Sequence, residues 1–188
     1  MKYTIEAKIL PIAYLGGHLY LEFFDDRGQR IMQANGFAVC PKSDQILSVG
    51  KPTDNLRAFV CDKRILREAA ECTRDQHLHR GHVIYTGNKA EIENVITHLK
   101  KGADKFNRQG FKYNVVSLNS NTVFSALIRQ MQDIVEIDTE AVFKTVALRK
   151  VTPGIDANLI TRERHLRALF NRKRTFKRPC IKLQIFKR

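Results

Sequence analysis

No tryptophan occurs in this sequence, no run of eighteen apolar residues, and no pair of cysteines in a Cys-x-x-Cys arrangement. The missing apolar run excludes a membrane-spanning helix. The four cysteines, Cys40, Cys61, Cys72 and Cys180, have no spacing that suggests a disulfide framework, so reduced thiols in a reducing compartment are expected. The opening residues, Met1 to Glu6, lack the apolar stretch of a signal peptide. A cytoplasmic protein, or one exported without such a signal, is expected. No glycine-rich phosphate loop is present, so nucleotide hydrolysis has no support and no cofactor is expected.

Acidic residues are also scarce: 19 Asp and Glu stand against 33 Lys and Arg, a net charge of +14. The excess is concentrated. Between Arg162 and Arg188 eleven basic residues face one acid, Glu163, a net of +10. The rest of the chain is nearly balanced. With 188 residues and 43% hydrophobic content, the chain is sized for one substantial core. The pattern predicts one α+β domain over residues 1–156 and a basic segment over 157–188, with the edge at Pro153-Gly154.

Hydrophobic periodicity outlines the domain. Tyr3, Ile5, Ala7 and Ile9 alternate with Thr4, Glu6 and Lys8, a strand with one buried face. Gly16-Gly17 precedes a second strand, His18 to Phe24. Asp25-Asp26-Arg27-Gly28 reads as a hairpin turn, and a third strand returns from Gln29 to Ala34, meeting Asn35-Gly36. Residues 41–60 read as loop. A short helix is expected over Lys63 to Cys72, and a strand over His82 to Thr86. The clearest helix runs from Lys89 to Gln109, with Asn88 and Glu91 spaced as a capping box and Gly110 as the stop. After an extended piece, Phe111 to Leu118, a second helix begins near Asn121. Val142 to Val151 is predicted as a strand, Thr161 to Asn171 as a basic helix, and Ile181 to Phe186 as a strand. The expected class is α+β, a small antiparallel sheet packed against helices.

Four places could hold chemistry. Asn119-Ser120-Asn121-Thr122 opens the second helix, where unpaired N–H groups and the helix dipole stabilise an oxyanion and help activate a nucleophile such as Ser120. The plainer reading is that Asn, Ser and Thr are simply preferred helix caps. His18 opens its strand and is the residue type that serves as base near neutral pH. Alternatively it is an inert histidine at the sheet edge. A Ser-His pair needs a polar group to orient the imidazole. With the turn at Arg27-Gly28, Asn35 falls near Tyr20 and Gln33 near Glu22, so either amide is a candidate. Cys72, His77, His79 and His82 are metal-ligand types, but no standard finger spacing fits and Arg74 and Arg80 intervene, so no metal is expected. In the basic segment, Arg172, Lys173, Arg174, Lys177 and Arg178 alternate with Phe170, Phe176 and Phe186. That mixture suits single-stranded nucleic acid, an anionic membrane surface or an acidic protein. It equally suits a solvated surface.

Two segments, taken together, resemble the circularly permuted papain-like group, which includes NlpC-type amidases and lecithin:retinol acyltransferase-like proteins. They are Gly17-His18-Leu19-Tyr20-Leu21-Glu22-Phe23 and the run from Tyr113 through Asn119-Ser120-Asn121-Thr122 to Phe124. The sequence is also similar to uncharacterised bacterial domains with a His-Leu-Tyr-Leu strand, an Asn-Ser-Asn-Thr turn and a later Thr-Pro-Gly, here Thr152-Pro153-Gly154. The resemblance implies a papain-like fold and a bacterial hydrolase or acyltransferase, such as an effector. It implies a peptide, peptidoglycan or lipid-type amide or ester as substrate. His18 would be the base, Ser120 the nucleophile, and Tyr113, Asn119 and Asn121 would help form the site. Ser120 stands where the group has cysteine. A hydroxyl needs base assistance throughout attack, so such a site is slower, altered or inactive.

Overall fold

Alternation in β1, Tyr3–Ile12, puts Ile5, Ala7 and Ile9 on one face and Glu6 and Lys8 on the other. β2, Gly16–Phe24, runs antiparallel beside it, setting Phe23, Leu21 and Leu19 opposite Ile5, Ala7 and Ile9. The turn that follows is held by the Asp25 carboxylate, which accepts from the N–H groups of Arg27 (3.0 Å) and Gln29 (2.7 Å). Gly28 takes the left-handed conformation there, φ 72°. β3, Arg30–Val39, returns, with Glu22 paired to Gln33 as the hairpin register predicts. β4, Ile46–Leu47, and β5, Asn55–Cys61, both pair with β3, and β6, Arg80–Gly87, pairs with β1. The computed structural model describes residues 1–12, 16–47, 50–62, 80–114 and 117–147. The expected helix over 63–72, the Pro153-Gly154 edge and the whole basic segment lie outside them.

All six strands form one antiparallel sheet, and helices cover one of its faces. α1, Lys89–Asn107, buries Ile92, Val95, Ile96, Leu99, Ala103 and Phe106, the stripe expected from its 3.6-residue period. Its capping box forms in full: the Asn88 side chain accepts from the Glu91 N–H (3.0 Å), and the Glu91 carboxylate accepts from the Asn88 N–H (2.8 Å). α2, Ser120–Gln132, is buried at every position from Asn121 to Ile128. It is the central helix, wedged between the sheet and α1. No helix among the described residues is long and apolar enough to cross a membrane.

Two expectations are corrected. α3, Thr139–Ala147, is a helix where a strand was expected. Its β-branched residues suggested the strand, but Asp138 supplies a helix start. The Asp138 carboxylate accepts from the Ala141 N–H (2.9 Å), and Val142 is buried against the core. β5 also forms within a stretch expected to be loop. Leu56 and Ala58 point into the core while Arg57 and Phe59 point away, and Pro52 lies upstream of the pairing.

The sheet contains a fork. Gln33 pairs with both Glu22 of β2 and Cys61 of β5, so β2 and β5 lie on opposite edges of β3. Ala38 likewise pairs with both Leu47 of β4 and Leu56 of β5. β2 and β4 therefore share one edge of β3, and neither pairs with residues 35–37. The start of α2 fills this gap. A Cβ added to Gly36 would lie 2.5 Å from the Val123 Cβ and 3.0 Å from the Ser120 carbonyl oxygen. Glycine at 36 allows this close approach of helix to sheet.

Candidate active site at the sheet fork

Asn119, Ser120, Asn121 and Thr122 take different roles at the start of α2. Asn119 is the cap: its side chain accepts from the N–H groups of Asn121 (3.0 Å) and Thr122 (3.4 Å). Thr122 completes the box by accepting from the Asn119 N–H at 3.3 Å. Capping therefore accounts for Asn119 and Thr122 but not for Ser120, the first helical residue. Ser120 is half-buried. Among the described residues, neither its hydroxyl nor its N–H has a hydrogen-bond partner.

Asn121 ties the helix to β2. Its amide nitrogen donates to the Gly17 carbonyl and its amide oxygen accepts from the Leu19 N–H, both at 2.9 Å. These two backbone groups flank His18. In a regular sheet a neighbouring strand would satisfy them; here, where β3 has diverged, a side chain does so.

The His18 ring stands on the sheet face opposite the helices, since Leu19 points into the core. It is buried, 6% exposed. Its Nε2 lies 2.8 Å from the Asn35 amide oxygen. An amide oxygen only accepts, so Nε2 is the donor and the neutral ring carries its lone pair on Nδ1. Phe37 stacks on the imidazole at 5.2 Å and 22°, and Tyr20 at 6.0 Å and 28°. These contacts fix the ring plane.

Of the two amides proposed to orient His18, Asn35 does so. Gln33 instead donates to the buried Glu22 carboxylate at 3.2 Å. Glu22 also receives Arg30 at 3.0 Å and lies 3.8 Å from Lys8, which pairs with Glu6 at 2.6 Å. Burial pushes the neighbouring Tyr20 phenol well above its ordinary range, and the Glu22 charge adds to this. The Gln33 amide oxygen is buried and accepts no hydrogen bond among the described residues.

Comparison with family models, curated proteins and solved structures yields no match. The site is therefore described by its own geometry. Its fixed parts are the His18–Asn35 pair and a helix start pinned at the strand that carries His18. Ser120 and His18 make no direct hydrogen bond to each other: α2 packs on one face of the sheet, the His18 ring stands on the other, and the two approach at the fork.

Tyr113 is placed away from the pair. Its ring packs against Gly50 and its N–H donates to the Asp54 carbonyl at 2.9 Å. Burial raises its phenol, and a hydrogen bond from the Gly50 backbone opposes the shift. His82 is exposed on β6, whereas Cys72, His77 and His79 lie outside the described residues, as do Arg172, Lys173, Arg174, Lys177 and Arg178. Among the described residues no cluster of His, Cys, Asp or Glu is placed to hold a metal. A surface depression of about 620 Å³ lies between Tyr3, Ile31, Met32 and Ile92, beside the β2–β3 turn and away from the fork. Its lining includes no histidine or cysteine.

The two described cysteines differ in reactivity. The Ser43 hydroxyl and the backbone N–H groups of Lys42 and Ser43 stabilise the Cys40 thiolate and lower its pKa. Burial raises that of Cys61. Iodoacetamide at pH 7.5 is expected to modify Cys40 well before Cys61, read by peptide mass mapping. The reverse order would contradict the placement of both thiols.

Proposed function

We propose that the protein is a papain-like hydrolase or acyltransferase acting on an amide or ester. The observation that carries this reading is the His18 Nε2–Asn35 bond at 2.8 Å, beside a helix start pinned by Asn121. Asn35 holds the imidazole in the tautomer whose Nδ1 accepts a proton. Ser120 is the nucleophile, and its N–H contributes to the oxyanion hole at the positive end of α2. In acylation the Ser120 hydroxyl attacks the substrate carbonyl and its proton passes to His18. The imidazolium then protonates the departing amine or alcohol. Deacylation repeats the transfers with water or an acceptor alcohol as the attacking group. Ser120 and His18 close to hydrogen-bond reach in the substrate complex, a tightening common to sites that are looser without ligand.

Turnover of a nitrophenyl ester by the intact chain tests the assignment. Ser120→Ala is expected to lower the rate at least about a hundredfold, the scale of a lost catalytic group, with the thermal unfolding midpoint nearly unchanged. An unchanged rate would remove Ser120 from the mechanism.

A second reading is favoured by the charge of residues 162–188 and by the absence of a Ser120–His18 bond. In it, the domain is a non-catalytic scaffold and the basic segment binds an anionic partner: nucleic acid, a membrane surface or an acidic protein. Truncation after Asp156 would then weaken binding and flatten its salt dependence. Equal binding by the truncated chain would exclude the segment as the site.

A further inference from the structure

The sheet face that carries His18 continues onto β5. Phe37, stacked on the imidazole, lies opposite Arg57, and Asn35 lies opposite Phe59. Directly paired residues point to the same face, with Cβ atoms roughly 5 Å apart. Phe37 and Phe59 rings meet at 6.0 Å and 58°. The floor beside the imidazole is thus aromatic and leads outward to a guanidinium. Phe59 is half-buried, and the Arg57 side chain keeps 41% of its surface exposed.

Arg57 differs from the other charges on this face. Lys8, Glu6, Glu22 and Arg30 are engaged with one another. Arg57 approaches Asp44 at 3.6 Å, beyond a good hydrogen bond, and Asp44 is 76% exposed. Such a pair contributes about 0–1 kcal/mol and is readily exchanged for a better acceptor. A planar guanidinium beside an aromatic surface suits a carboxylate or phosphate attached to an apolar group.

We propose that Phe37, Phe59 and Arg57 form the subsite for the acyl part of the substrate, and that this part is an aryl or alkyl chain ending in an anionic group. This substrate assignment rests on the hydrolase reading of the His18 site. The apolar segment lies over Phe37 and Phe59, and Arg57 binds the anionic end.

The probes are 4-phenylbutyrate and its neutral amide, titrated into the intact chain. Binding is followed through the His18 ring resonances by NMR, and Ser120 labelling by a fluorophosphonate is measured on the same protein. The carboxylate is expected to bind about tenfold more tightly than the amide, and Arg57→Gln to abolish the difference; tenfold corresponds to about 1.4 kcal/mol. Arg57 is exposed enough for that variant to fold. Ser120 labelling with equal affinity for both probes, or with no shift at His18, overturns the subsite and leaves the hydrolase reading intact. Charge-dependent shifts without labelling overturn the substrate assignment, because the hydrolase reading has then failed by itself.

Discussion

Asn121→Leu is expected to lower the stability of the protein by about 2–4 kcal/mol. The substitution leaves the Gly17 carbonyl and the Leu19 N–H, both now paired with the Asn121 amide at 2.9 Å, without partners in a buried place. Each orphaned buried group costs about 1–3 kcal/mol. For a protein of this size, about 3 kcal/mol corresponds to a fall of roughly 6–12 °C in the unfolding midpoint. Circular dichroism on heating reads it directly. Asn121→Asp keeps the acceptor for Leu19 but loses the donor to Gly17, so it is expected to destabilise as well. A shift below about 2 °C for the leucine variant, smaller than the cost of one orphaned group, would mean that the amide does not hold α2 in the fork.

Ser120→Cys is expected to create a thiol of unusual reactivity. A thiol at a helix start, near an imidazole, is converted to thiolate at lower pH than a free cysteine. Iodoacetamide at pH 6.5 is expected to modify the introduced thiol at least about tenfold faster than Cys61, a conservative share of the thiolate gain such settings give. His18→Ala in the same background is expected to remove most of the gain. The helix dipole would survive that second change, so the residual rate separates its contribution from that of the imidazole. Equal rates with and without His18 would show that the ring does not reach position 120 through the fork.

Much of the fold follows from local pattern. β1 and β2 alternate cleanly, Asp25 to Gly28 makes a tight turn, and α1 has both a stripe and a capping box. The errors arose where local punctuation competes with tertiary structure. Asn35-Gly36 resembles a turn, yet β3 continues through it to Val39. Gly36 is needed because Val123 presses on it, a contact between residues far apart in sequence. Pro52 and Gly50 outweighed the alternation of β5. Val142 and Phe143 looked like strand residues until Asp138 supplied a helix cap.

The site was legible in part for the same reason. His18 and Ser120 stood out by residue type and by position at the start of an element. Hairpin register brought Asn35 and Gln33 into range but could not choose between them. Asn35 reaches His18 diagonally across the diverging strands, whereas Gln33 is drawn to Glu22 directly opposite. The fork arises because β3 is shared by β2, β4 and β5. That sharing depends on pairings between distant segments, so neither the gap nor the use of Asn121 as its clamp could be read from periodicity.

Fluorophosphonate labelling of the intact chain, with mass mapping of the modified residue, tests the central claim most directly. The hydrolase account predicts adduct on Ser120 in the native protein and its loss in both His18→Ala and Asn35→Ala. Label on Ser120 that persists in both variants, or no label on Ser120 at all, would contradict a serine nucleophile activated by the His18–Asn35 pair.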